Sequence, residues 1–182
     1  NSNMQTSGTT TISADSDANG AGTFTVADTK TLATTGAAAT GAALNVTAAD
    51  VVLTGAGALN SGTAAKTTIT STGALQVGTT TTGLQLSNTE LSQITSGGGL
   101  DLKTTGANDI TANAATFVAG NGNVALLATG TGNVVFTTAN TTANKDLTAN
   151  ATGGQVTFDA GRTITSTTGA ISLTAGAAGA NA

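Results

Sequence analysis

Gly73-Ala74-Leu75-Gln76-Val77 is the stretch that decides the fold, because the same phrase returns as Gly132-Asn133-Val134-Val135-Phe136, Gly154-Gln155-Val156-Thr157-Phe158 and Gly169-Ala170-Ile171-Ser172-Leu173. Each copy is a Gly-containing turn, one small or polar residue, and an apolar-any-apolar triplet. Alternation with period two puts one side of a strand into a core and the other into water. A turn at nearly every tenth residue keeps each strand short. The pattern is that of an all-β chain wound as a parallel β-helix, or β-solenoid.

Composition supports a folded chain of this kind. The 182 residues include 25 Gly, no Pro, no Cys, no His, no Trp and no Tyr, with 8% charged and 38% hydrophobic residues. The hydrophobic residues sit at regular strand positions, unlike those of disordered low-complexity sequence. Four Phe are the only aromatic residues, too few for a conventional core of this length. A solenoid needs only Leu, Val, Ile and Ala, because each coil buries its apolar side against the coils above and below.

The apolar anchors set the repeat. Ile12 and Leu32, Phe24 and Leu44, and Leu32 and Val52 recur at roughly 20 residues, and Ile110, Val134 and Val156 at roughly 22 to 24, which gives about 20–24 residues per coil and eight or nine coils. Stacked at the strand spacing, these form a rod on the order of 40 Å long. The expected core column is Ile12, Phe24, Leu32, Leu44, Val52, Ile69, Leu75, Leu84, Leu100, Ile110, Phe117, Val124, Val134, Val156, Ile164 and Ile171. Ile69-Thr70-Ser71-Thr72-Gly73-Ala74-Leu75 echoes Ile164-Thr165-Ser166-Thr167-Thr168-Gly169-Ala170-Ile171 with one residue inserted before the Gly. Residues 1–182 show no linker or charge block and read as one continuous solenoid segment. The chain begins at Asn1 and ends in Thr174-Ala175-Gly176-Ala177-Ala178-Gly179-Ala180 without polar caps, so the expectation is a fragment of a longer repeat protein.

The net charge is −4, and Lys30, Lys66, Lys103, Lys145 and Arg162 are the only cations. This leaves no basic patch for nucleic acid. No apolar run approaches the roughly 20 residues that span a bilayer. The absence of Cys suits an extracellular bacterial product and is equally allowed in the cytosol.

One segment departs from the strand pattern. Ser87-Asn88-Thr89-Glu90-Leu91-Ser92-Gln93-Ile94 has the capping-box spacing of Ser and Glu, with Leu91 and Ile94 on one face of a single helical turn. Gly83-Leu84-Gln85-Leu86-Ser87-Asn88-Thr89-Glu90-Leu91-Ser92-Gln93-Ile94-Thr95, followed by a Gly-rich stretch and Leu100-Asp101-Leu102, resembles a phrase of large repetitive bacterial exoproteins of the filamentous-haemagglutinin and haemagglutination-activity type. Ile12-Ser13-Ala14-Asp15-Ser16-Asp17-Ala18-Asn19-Gly20-Ala21-Gly22 and Leu44-Asn45-Val46-Thr47-Ala48-Ala49-Asp50-Val51-Val52-Leu53 are similar to the same group. The resemblance implies a right-handed β-helix, secretion to the cell surface, and structural or adhesive work without catalysis. The family's N-terminal secretion domain is not visible.

Asp15-Ser16-Asp17-Ala18-Asn19-Gly20 is the one motif with site chemistry. Asp15, Asp17 and Asn19 fit the first half of an EF-hand type loop, in which alternate oxygens converge on calcium and Gly permits the sharp turn. Val26 stands where that loop would need its bidentate Glu, and Asp28 is the nearest later carboxylate. The other reading is a polar corner in which Asp and Asn bond their own backbone. Asp109, Asp146 and Asp159 read as turn residues. Asn45, Asn140 and Asn150 each open an Asn-x-Thr sequon, which permits glycosylation without indicating it.

Without His or Cys, a Ser-His or Cys-His nucleophilic pair is excluded. Scattered acids and the lone Arg162 form no catalytic cluster, so no enzyme activity and no cofactor beyond calcium is expected. The leading function is a structural or adhesive rod or fibre segment whose partners are itself, neighbouring repeats of its parent chain, or host-surface and matrix glycans. An ice-binding solenoid is the alternative, suggested by Thr-x-Thr pairs starting at Thr9, Thr23, Thr68, Thr80 and Thr163, although these starts keep no common period. A carbohydrate-binding or carbohydrate-active solenoid is the third.

Overall fold

The computed structural model describes residues 3–34, 42–79 and 83–176. The chain is all-β, and the sixteen strand pairings among the described residues are all parallel. Strands form in successive passes. The first gives β1 (Met4–Thr6), β2 (Thr10–Ser13) and β3 (Thr23–Val26), and the second gives β4 (Thr31–Thr34), β5 (Ala42–Ala48) and β6 (Asp50–Leu53). The third gives β7 (Ala58–Gly62), β8 (Lys66–Ser71), β9 (Leu75–Gly78) and β10 (Leu84–Ser87), and ends in a short helix, α1 (Asn88–Ser92). The fourth gives β11 (Ile94–Ser96), β12 (Gly99–Thr104), β13 (Ile110–Asn113) and β14 (Thr116–Phe117), closed by a 3-10 turn at Ala119–Asn121. The fifth gives β15 (Val124–Ala128), β16 (Val134–Thr137) and β17 (Thr141–Ala143). After β18 (Leu147–Ala151), β19 (Val156–Phe158) and β20 (Ile164–Ser166) of the sixth pass, β21 (Ile171–Ala175) opens a seventh.

Apart from β9 and β10, which pair within the third pass, neighbours in a sheet come from successive passes. The longest sheet runs β2-β5-β8-β12-β15-β18-β21, flanked by β1-β4-β7-β11, β10-β9-β13-β16-β19, β14-β17-β20 and β3-β6. Its register lines up Thr10, Leu44, Thr67, Leu100, Val124, Leu147 and Ile171 in one column, and Ile12, Val46, Ile69, Leu102, Leu126, Ala149 and Leu173 in the next. The middle members of both columns are fully buried. Each buried Leu or Ile contributes about 1.5–3 kcal/mol, so a chain with few aromatics still acquires one contiguous apolar cluster.

Several sequence expectations are corrected here. The seven strands of the longest sheet replace the about eight or nine coils read from the repeat, and at about 4.8 Å per strand they span about 30 Å. In the first half the interval is wider than 20, since Leu32 pairs with Met4 and Leu59, and Leu44 with Thr10 and Thr67. Long corners and the extra strand β10 lengthen these passes. In the second half Ile110, Val134 and Val156 are direct neighbours, as expected. Val52 is half-buried while Val51 and Leu53 face the core, because the single residue Ala49 between β5 and β6 sets the phase. Ile171 is 40% exposed, and Ile12, Phe24, Val156 and Ile164 are only partly buried, because they lie on the outermost strands.

The recurring Gly has a steric cause. A Cβ on Gly132 would lie 2.0 Å from the Asn108 carbonyl oxygen, and one on Gly154 would lie 2.2 Å from that of Gly132. Backbones of successive passes touch at this corner and leave no room for a side chain. Gly73 stands in open space.

Candidate functional site

The loop after β2 leaves the sheet through a narrow neck. A Cβ on Gly22 would fall 1.9 Å from the Ala14 carbonyl oxygen, so the two ends of the loop are in backbone contact. Above this neck Ala49 donates its N–H to the Gly22 carbonyl at 2.8 Å, which places the whole excursion where the second pass has one corner residue.

Asp15 lies at the neck and is 3% exposed, whereas Asp17 and Asn19 are exposed. Its Oδ1 accepts the Asn19 N–H at 3.1 Å, and its Oδ2 accepts the Gly20 N–H at 3.0 Å and the Thr72 hydroxyl. The Thr72 hydroxyl foremost, then the Gly20 and Asn19 N–H groups, hold the Asp15 carboxyl below the ordinary carboxylate value against the opposing effect of burial. Asn19 donates from Nδ2 to Asp17 at 2.7 Å and accepts the Ala21 N–H at 3.0 Å. The three candidate ligands are thus brought into one loop, but their oxygens are occupied by the loop's own donors and by Thr72. Among the described residues no three Asp, Glu, His or Cys gather as a metal cluster.

The remaining carboxylates and several Asn tie one pass to the next. Asp28 accepts the Ala56 N–H at 2.8 Å, Asp50 the Gln85 N–H at 3.1 Å, Asp109 the Asn133 N–H at 2.7 Å and Asp146 the Ala170 N–H at 2.8 Å. Asn3, Asn88, Asn133 and Asn140 do the same for Thr31, Thr116, Gln155 and Thr163. Asp159 reaches back to the Thr138 N–H at 3.3 Å. Most of these N–H groups lie at corners or at the first residue of a strand, and Gln85 lies within β10, so the side chains supply acceptors where the strand ladder does not. The sequence shows them as lone turn residues, and nothing in it reveals their partners.

The helical turn forms where the capping box places it. Ser87 accepts the Glu90 N–H at 3.2 Å while Glu90 Oε2 accepts the Ser87 N–H at 3.0 Å. Glu90 Oε1 also accepts the Leu53 N–H at 3.1 Å, which makes the cap a tie to the second pass. Leu91 and Ile94 are both buried. Asn121, which sequence reasoning missed, is fully buried, donates to the Leu91 and Ile94 carbonyls at 2.7 and 3.0 Å, and accepts the Val118 N–H at 2.8 Å.

The Thr-x-Thr pairs do not share a face. Thr11 lies in β2 and Thr68 and Thr70 in β8, Thr23 and Thr25 in β3, and Thr165 in β20, which belong to three different sheets. Thr80 and Thr82 fall outside the described residues. The outward column of the longest sheet reads Thr11, Asn45, Thr68, Asp101, Ala125, Thr148 and Ser172. At its centre Asp101 pairs with Lys66 at 3.0 Å.

Both outermost layers carry exposed apolar side chains. Met4, Phe158, Ile171 and Leu173 are the exposed large hydrophobic residues among those described, at 53, 41, 40 and 45%, and all four lie on the outermost strands. Behind β1 to β3 an open cavity of about 260 Å³ is lined by Met4, Ile12, Phe24, Val26, Lys30 and Leu32 among others. No helix among the described residues is long and apolar enough to cross a membrane. No protein-family model, curated protein or solved structure matches this chain.

Proposed function

We propose that this chain is a structural segment of a secreted bacterial surface protein, a right-handed parallel β-helix whose coils stack into a rod that carries or spaces an adhesive region. The observation that carries the reading is the seven-strand parallel register, in which each pass of the chain adds one strand and continues the same apolar columns. Parallel crossover connections are right-handed in about 98% of cases, which supports the right hand of this reading. The use of the acids supports a structural role: Asp28, Asp50, Asp109, Asp146 and Glu90 each accept a backbone N–H from a neighbouring pass. A carboxylate so engaged holds a corner and is not poised for proton transfer.

Antibody against the folded chain should label the outer surface of the producing cell and be lost after protease shaving of intact cells. Labelling confined to the cell interior would overturn the surface assignment. Turnover of a polysaccharide panel, or thermal hysteresis, would replace the structural reading with the carbohydrate-active or the ice-binding one.

A further inference from the structure

We infer that Asn19 is a self-modification site: the loop after β2 promotes loss of ammonia from its Asn19-Gly20 pair through a cyclic imide, with the Asp15 carboxylate as the general base. The products are Asp and isoaspartate at position 19.

The chain has two Asn-Gly pairs, Asn19-Gly20 and Asn121-Gly122. In such a pair the Gly nitrogen can attack the preceding side-chain amide carbon, since no Cβ shields it. The reaction also needs an acceptor for the N–H proton, a donor to the oxygen of the attacked amide, and water. The loop supplies all three at Asn19. The Gly20 N–H points at Asp15 Oδ2, 3.0 Å away and within reach of a general base. Asn19 Oδ1 accepts the Ala21 N–H at 3.0 Å, a backbone donor placed where negative charge develops in the tetrahedral intermediate. Asn19 Nδ2 donates to Asp17 at 2.7 Å, which fixes the amide with its oxygen toward Ala21. Ser16 to Ala21 are exposed, and a Cβ on Gly20 would meet nothing within 4 Å, so the imide is open to water. The Asp15 carboxyl, kept below its ordinary value by the Thr72 hydroxyl foremost, is ionised at neutral pH and able to take the proton.

The other acids do not share this arrangement. Asp28, Asp50, Asp109 and Asp146 accept backbone N–H groups, but none of those groups belongs to a residue that follows an Asn. The second Asn-Gly pair lacks both the base and the water. Asn121 is fully buried, with its Nδ2 held by the Leu91 and Ile94 carbonyls. The Gly122 N–H goes to the Ala119 carbonyl at 3.2 Å, which does not accept the proton itself.

In the reaction, the Gly20 nitrogen forms a bond to Asn19 Cγ as its proton passes to Asp15. The intermediate then collapses: the Cγ–Nδ2 bond breaks, and the amine leaves as ammonia with the proton that Asp15 held. Water adds to either imide carbonyl, giving Asp or, with the main chain rerouted through Cγ, isoaspartate. Asp15 is regenerated, and a carboxylate replaces the amide that donated to Asp17. Because Ala14 and Gly22 touch at the neck, the longer main chain of isoaspartate stays within the loop.

The test incubates the full chain at neutral pH, folded and in urea, and follows both Asn positions by ammonia release and peptide mapping, with Asn19→Asp as a standard. Folded wild type should convert Asn19 severalfold faster than the urea-unfolded chain, giving mixed Asp and isoaspartate, while folded Asn121 stays intact. In urea the two pairs should react at similar rates. Asp15→Ser, whose hydroxyl still accepts the Gly20 N–H but cannot keep its proton, should slow the folded reaction severalfold and leave the urea rate unchanged. Asp15→Glu, which retains a carboxylate, should restore part of the rate. The comparison of folded with urea-unfolded wild type needs no variant, so it decides the matter even where Asp15→Ser unfolds. A folded rate at Asn19 equal to or below the urea rate would show that the loop protects its amide, and would overturn the inference. Equal conversion of Asn19 and Asn121 in the folded chain, or a folded Asp15→Ser chain that reacts as fast as wild type, would overturn it too.

Discussion

The carboxylate of Asp15 accepts the hydroxyl of Thr72, a residue 57 positions later and two passes away. The bond bypasses the second pass, whose corner shrinks to Ala49, and it is the foremost cause of the lowered Asp15 pKa. A carboxyl whose pKa is lower folded than unfolded stabilises the fold fully above the unfolded value, about 3.9, and loses that contribution as pH falls through the lower native value. Thr72→Val should therefore lower Tm at neutral pH, and its difference from wild type should close as pH falls below about 3.9. Tm measured against pH for both proteins checks this. A difference that persisted unchanged into strong acid would assign the loss to packing.

Calcium should leave stability unchanged. A cation would have to displace the Asn19 and Gly20 N–H groups and the Thr72 hydroxyl from Asp15 before coordinating it. Binding at about a hundred times its Kd would add about 2.7 kcal/mol to the folded state, readily seen as a rise in Tm. A rise that chelator reverses would restore the ion-binding reading of Asp15, Asp17 and Asn19.

Gly132→Ala and Gly73→Ala should differ in sign. The first forces a methyl against the Asn108 carbonyl and should destabilise by about 1–3 kcal/mol. The second enters open space and should be neutral or stabilise by up to about 1 kcal/mol by restricting the unfolded chain. Chemical denaturation of both variants is the measurement, and equal losses would contradict the close approach of the backbones.

Position along a column should set the cost of truncation. Leu126 and Leu173 share a column, but Leu126 is fully buried and Leu173 is 45% exposed. Leu126→Ala should cost about 2–5 kcal/mol, and Leu173→Ala well under half of that in the monomer. Val134→Asp, at a fully buried site, should be far worse than Thr137→Asp at a half-buried one. Equal tolerance of the two Asp variants would reverse the facing of β16.

What could be read from sequence was what is local. The capping box of Ser87 and Glu90 is complete within four residues, and the phase of Val134 and Phe136 follows from alternation beside a Gly whose position is sterically forced. The repeat length of the first half was not legible, because it depends on corners whose lengths vary: a long looped excursion after β2, one residue after β5, and an additional strand after β9. Ile69 and Ile164 head similar phrases yet lie in different sheets. In both, a Ser hydroxyl, that of Ser71 or Ser166, accepts the N–H of the following Gly, so the echo encodes a type of corner and not a place in the fold. The candidate site was legible as a polar loop, but its partner Thr72 was not, since no periodicity connects the two positions.

The neck between Ala14 and Gly22 separates the length of the intervening loop from everything else in the molecule. Because the chain re-enters at the point where it left, β3 cannot sense how many residues lie between, and the closure entropy of a longer loop rises only slowly. Ser16 to Ala21 are exposed. The position is therefore a natural graft point: a recognition peptide or a small domain inserted beyond Asp17 would be carried on the side of the sheet without shifting its register, whereas a single residue added at Ala49 would turn β6 inside out.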